Sequence, residues 1–172
     1  LYRDDSDGWR LQNSHDVVIG RSGLAWGRGV HEFGEGSEKV EGDGRAPAGV
    51  FTIGDAFGYG EEPGDLKINY RQATEHDYFV DDVESADYNQ WARFDGDPKT
   101  RWKSFERMRR DDARYEFGAI VNHNMSPIEP GKGSAIFLHV WGGPEVPTSG
   151  CYAMERENML DLILSLIHIS EP

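Results

Sequence analysis

The chain has 172 residues and a formal net charge of −13, from 18 Lys and Arg against 31 Asp and Glu. That balance repels phosphate backbones and anionic headgroups, so no nucleic-acid partner is expected. Hydrophobic residues make up 37% of the chain and aromatics 12%, enough for one domain around one core, and no run of 18 apolar residues exists to form a transmembrane helix. The 21 Gly and eight Pro imply many turns and favour a strand-rich fold over a helical bundle. Cys151 is the single cysteine, which excludes an intramolecular disulfide and a cysteine-based zinc cluster.

In chain order, Asp4-Asp5-Ser6-Asp7-Gly8 reads as a turn between two strands, and Asp16-Val17-Val18-Ile19-Gly20 as a short β-rich run. Residues 34–49 are dense in glycine and charge. Residues 50–53 then read as a strand, with Pro47 and Gly49 shaping the turn before it. Residues 55–115 form a long structured excursion, with a short strand at Tyr78-Phe79-Val80 and a helical turn over residues 104–108. Two better strands follow at residues 117–122 and 134–140. Period-2 alternation in the second puts Ala135, Phe137 and His139 on one face. A Gly- and Pro-rich loop runs from Gly142 to Gly150. Residues 154–164 then read as an amphipathic helix with Leu160, Ile163 and Leu164 at helical spacing and Met159 beside them.

A lone cysteine is most often a small buried hydrophobe. Cys151, however, follows Thr148-Ser149-Gly150 at the end of a turn and just before the expected helix. Such a position lowers a thiol pKa and leaves the thiol accessible. The same turn offers the backbone N–H groups of Ser149, Gly150 and Cys151 to the oxyanion of a tetrahedral intermediate. His139 ends a strand, and the loop after it is long enough to fold back and set Cys151 beside that strand. A Cys–His pair of this kind supplies a nucleophile and its base. By itself the spacing is a weak signal. His123 closes the preceding strand and is the next candidate for the cleft. The six histidines show no zinc-binding spacing, and Asp81-Asp82 and Asp111-Asp112 lack the pattern of a calcium loop, so no metal is expected.

The run His139-Val140-Trp141-Gly142-Gly143-Pro144-Glu145-Val146-Pro147-Thr148-Ser149-Gly150-Cys151-Tyr152-Ala153-Met154 resembles the active-site segment of the L,D-transpeptidases (YkuD-like domains). About a hundred residues upstream, Gly42-Asp43-Gly44-Arg45-Ala46-Pro47-Ala48-Gly49-Val50-Phe51 resembles the second signature of that family. The resemblance covers roughly residues 17–164 and favours a divergent branch. Ser149 stands where the familiar branch has a second histidine, and Ala153 where it has an arginine that reads a substrate carboxylate. The resemblance implies a mainly β fold of two curved packed sheets with a helix following the nucleophile.

It also implies a cysteine acyltransferase. Cys151 would attack a peptidoglycan stem tetrapeptide with release of D-alanine, His139 would be the base, and Trp141 would offer a stacking wall. No cofactor is implied, and the place of action would be the cell envelope. Two alternatives remain at this point: an L,D-carboxypeptidase or cell-wall peptide hydrolase, and a non-catalytic wall-binding module of the same fold. The domain is expected to span residues 1–164, N-terminally truncated because the chain starts without Met, and with its signal segment outside this chain. Residues 165–172 resemble a translated sequencing adapter and are expected to be a non-native tail.

Overall fold

The computed structural model describes residues 1–5, 7–64 and 66–166. Its strands are β1 (Tyr2–Asp5), β2 (Gly8–Leu11), β3 (Val17–Val18), β4 (Leu24–Trp26), β5 (Ala46–Ala48), β6 (Ile53–Gly58) and β7 (Tyr70–Gln72). They continue as β8 (Asp77–Val80), β9 (Gln90–Arg93), β10 (Phe105–Arg107), β11 (Phe117–Val121), β12 (Phe137–Val140) and β13 (Tyr152–Met154), and one α-helix follows, α1 (Arg156–Ser165). The fold is mainly β, as expected. Six strands form the principal sheet in the order β3-β13-β12-β11-β6-β7, and β10-β8-β9 form a three-stranded antiparallel sheet.

Alternation along the strands sorts side chains into layers. Phe57 of β6, Phe79 of β8, Ile120 of β11 and Phe137 of β12 meet with Met108 and Tyr115 between the two sheets. Their rings pack edge to face, Phe79 on Phe137 with centroids 5.0 Å apart and Phe57 on Phe137 at 5.4 Å. On the other face of the large sheet, Ala56, Val140 and Met154 pack against Met159, Leu162 and Ile163 of α1. The outer face of the small sheet buries Tyr78 and Val80 beneath Trp102. Strand β8 is therefore covered on both sides, which explains why all four of its residues are buried.

Several boundaries differ from the sequence reading. Residues 104–108 are not a helical turn. Phe105 and Glu106 pair with Val80 and Phe79, so this segment is an edge strand. Residues 50–52 are not in a strand, which begins only at Ile53. The strand expected from Ser134 begins at Phe137, because Ala135 takes a left-handed backbone with φ of 53°. Met154 belongs to β13, where it pairs with Val17 and Val140, so α1 starts two residues late. That shift makes Met159, Leu162 and Ile163 the buried stripe and leaves Leu164 exposed. The expected non-native tail reaches the described residues only at Ser165, which ends α1, and Leu166, which packs against the cluster beneath the helix. The rest of that segment lies outside the described residues. Among the described residues no helix is long and apolar enough to cross a membrane.

Candidate active site

Strands β12 and β13 run parallel, with His139 opposite Ala153. A parallel pair cannot be joined by a tight turn, so the chain from Trp141 to Cys151 must travel back along the sheet before β13 begins. Threonine chemistry fixes the end of that return. Thr148 Oγ1 accepts the N–H of Gly150 at 3.2 Å and donates to the carbonyl of Cys151 at 2.7 Å. The Thr148 backbone is held in turn: its N–H donates to Ile19 O at 3.0 Å and its carbonyl accepts Arg21 N–H at 2.9 Å. Gly150 has φ of 152°, and a Cβ there would fall 3.1 Å from Arg45 O and 3.7 Å from Lys39 Nζ. Only glycine lets the turn approach so closely.

The two signature segments thus meet in space. Asp43 accepts Lys39 Nζ at 2.7 Å and Arg45 N–H at 2.9 Å through Oδ1, and Val40 N–H at 3.1 Å through Oδ2. Burial alone would raise this carboxyl, but these donors outweigh it and hold it below the ordinary range. Tyr152 OH donates to Pro47 O, closing the junction from the other side.

Cys151 is half-buried, and its thiol donates to Ala135 O at 3.4 Å. Ala135 is itself held by its N–H bond to Asn89 Oδ1 at 3.1 Å, and Asn89 Nδ2 donates to His123 O and Asn124 O at 3.0 and 2.9 Å. Burial pushes the thiol up to about 12. This reverses the expectation of a thiol activated at rest. The physical reason is placement: Cys151 precedes a strand rather than a helix, α1 begins only at Arg156, and the half-buried residue packs against the core cluster.

His139 is 6% exposed, and its Nδ1 is 2.8 Å from Val140 O. A carbonyl only accepts, so Nδ1 carries the proton and Nε2 is left with its lone pair. Tyr115 packs edge-on against the ring at 5.3 Å. Burial lowers the imidazole pKa, opposed by the Val140 carbonyl. At neutral pH the resting site therefore holds a neutral thiol and a neutral imidazole, and no sulfur–imidazole hydrogen bond joins them among the described residues.

Both side chains line one cavity of about 340 Å³ between the two sheets, together with Ser149 and Gly150. Its other wall comes from the excursion: Asp81 after β8, Glu106 on β10, and Arg110, Arg114 and Tyr115 beyond it. Burial raises the carboxyls of Asp81 and Glu106, and Arg110 only partly offsets this at Glu106.

The sequence candidates divide. Cys151, His139, Ser149 and Gly150 come together at the cavity, although the Gly150 amide is already bonded to Thr148. Trp141 and His123 do not line it. His123 is 1% exposed, its Nδ1 accepts Arg28 N–H at 3.1 Å and its Nε2 lies 3.0 Å from Lys132 O. Burial lowers it to about 4, so it is a neutral strut joining two loops rather than a base facing substrate. Thr148, Lys39 and Ala135 were missed. Thr148 carried a signal in its hydroxyl two residues before a glycine, whereas nothing local marks Lys39 or Ala135.

The sequence model of the L,D-transpeptidase catalytic domain matches residues 1–165. No curated protein and no solved structure matches the chain. A match over almost the entire length, on a mainly β fold with several sheets and, among the described residues, one α-helix after the last strand, establishes that this chain belongs to the L,D-transpeptidase catalytic-domain family.

Proposed function

We propose that the chain is a peptidoglycan L,D-transpeptidase acting in the cell envelope, with Cys151 as nucleophile and His139 as base. The observation that carries this reading is the Nδ1–Val140 O bond, which leaves Nε2 as the proton acceptor in a cavity shared with the thiol. Substrate entering between the sheets brings a carbonyl carbon to Sγ as Nε2 takes the thiol proton. The sulfur–carbon bond forms, and the oxyanion is met by the Ser149 and Cys151 amides, since that of Gly150 is bonded to Thr148. The tetrahedral centre collapses, D-alanine leaves with the proton returned from His139, and a thioester remains on Cys151. The amine of a second stem peptide then attacks, gives a proton to His139, and releases the thiol.

The test is intact mass after incubation with an N-acetylated stem tetrapeptide. An adduct of the peptide minus D-alanine on Cys151 is expected, and an unmodified protein at saturating peptide overturns the reading. Adding an amine acceptor separates the outcomes: a cross-linked product marks a transpeptidase, and free tripeptide alone marks an L,D-carboxypeptidase.

A further inference from the structure

The cavity is lined by four cations, Arg21, Lys39, Arg110 and Arg114. In so acidic a chain three of them have found acids. Lys39 is paired with Asp43 at 2.7 Å, Arg110 with Asp112 at 3.1 Å, and Arg114 with Asp112 at 3.7 Å. Among the described residues, the Arg21 guanidinium meets no carboxylate and no hydrogen-bond acceptor. It is nevertheless well placed. Its N–H donates to Thr148 O, so its backbone is fixed to the residue whose hydroxyl closes the nucleophile turn. Its side chain lies against the bare backbone of Gly44, where a Cβ would come within 3.0 Å of Cζ and 3.1 Å of Nε. An exposed guanidinium without an anion, lining the cavity that the half-buried thiol also lines, is half of a recognition pair.

We propose that Arg21 binds the free carboxylate of the amino acid expelled from the peptide. This rests on the reading of Cys151 as the attacking group. When the scissile carbonyl carbon lies at Sγ, that carboxylate is three bonds further along the chain, about 3–4 Å away. The planar fork of arginine then offers two parallel N–H donors to its two oxygens. Arg21 thereby selects peptides that end one residue beyond the attacked carbonyl.

The test compares an N-acetylated tetrapeptide ending in D-alanine with its C-terminal carboxamide, reading the rate of Cys151 adduct formation. Arg21→Gln should lower kcat/KM for the acid by roughly ten- to a hundredfold. It should leave the slower carboxamide unchanged and leave iodoacetamide alkylation of Cys151 unaltered. Arg21→Lys should recover part of the loss through KM. Equal losses on acid and carboxamide, or no loss on the acid, overturn the proposal.

If the parent protein forms no adduct, the acyl-transfer reading falls instead. The carboxylate contact is still read by calorimetry on Cys151→Ala, with and without Arg21→Gln. A tenfold or greater preference for acid over carboxamide that disappears with Arg21 supports the contact, and no preference overturns it.

Discussion

The two walls of the cavity are built differently. The wall bearing Cys151 and His139 comes from neighbouring strands of one sheet, β12 and β13, and from a return loop whose shape is set by a glycine, a threonine hydroxyl and backbone bonds. The facing wall comes from a separate three-stranded sheet and the segments that follow its strands, and it contributes charged and aromatic side chains, Asp81, Glu106, Arg110 and Tyr115. In the proposed reaction the first wall fixes where bonds are made. The second sets the field around them and depends on the cluster of Phe57, Phe79 and Phe137 to stay in place. Disrupting the first should remove chemistry and spare the fold, and disrupting the second should do the reverse.

The largest effect is expected at Cys151. Cys151→Ala should abolish adduct formation with stem peptide, because the chain has no other thiol, while circular dichroism and thermal midpoint stay close to those of the parent. His139→Gln should slow acylation by roughly 10²–10⁴-fold with the fold intact, the usual contribution of a positioned acid–base group. A wild-type rate in that variant would remove His139 as the base.

The resting thiol offers a third measurement. With its pKa raised by burial to about 12, iodoacetamide alkylation should accelerate about tenfold per pH unit from pH 6 to 9. A plateau within that range would reveal a preformed ion pair and contradict the enclosed geometry.

The facing wall is tested at Asp77, whose carboxylate accepts Thr74 N–H at 2.8 Å, Trp91 Nε1–H at 3.1 Å and Arg93 Nη2 at 2.9 Å. Burial would raise it, but these donors, Arg93 foremost, hold it below the ordinary carboxylate value. Asp77→Asn should lower unfolding free energy by about 2–3 kcal/mol at pH 7. Because the folded pKa is depressed, the contribution is complete above about pH 4 and is lost as pH falls through the folded value. Urea midpoints of parent and variant should therefore converge at low pH. A difference that stays constant down to pH 2 would show that the carboxylate charge plays no part.

The contrast also explains what could be read in advance. The geometry of the wall bearing Cys151 was legible because its residues are near one another in sequence and because turn chemistry is local: Phe137 and His139 both pack on Tyr115, and the upstream Asp43 turn is closed by its own carboxylate. The thiol's state was not legible, since enclosure depends on Ala135 and the layers above it. Ala135 looks like an ordinary strand residue and is forced out of the strand by the side chain of Asn89, 46 positions away. His123 misled for a similar reason. A histidine at a strand end looks accessible until residues 28 and 132 are seen to cover both ring nitrogens. Residues 104–108 read as a helical turn from the sequence, and only pairing with β8 makes residues 105–107 a strand.

The hydrogen bond from Cys151 to the Ala135 carbonyl has a consequence for the lifetime of the protein. The thiolate, not the thiol, attacks peroxides and disulfides, and the oxidation ladder of cysteine begins from the anion. At rest this half-buried sulfur keeps its proton, so it is a poor target for sulfenic acid formation. Under the proposed mechanism it becomes vulnerable only while substrate occupies the cavity and His139 draws the proton away. The same substrate then covers the sulfur, so activation and shielding arrive together.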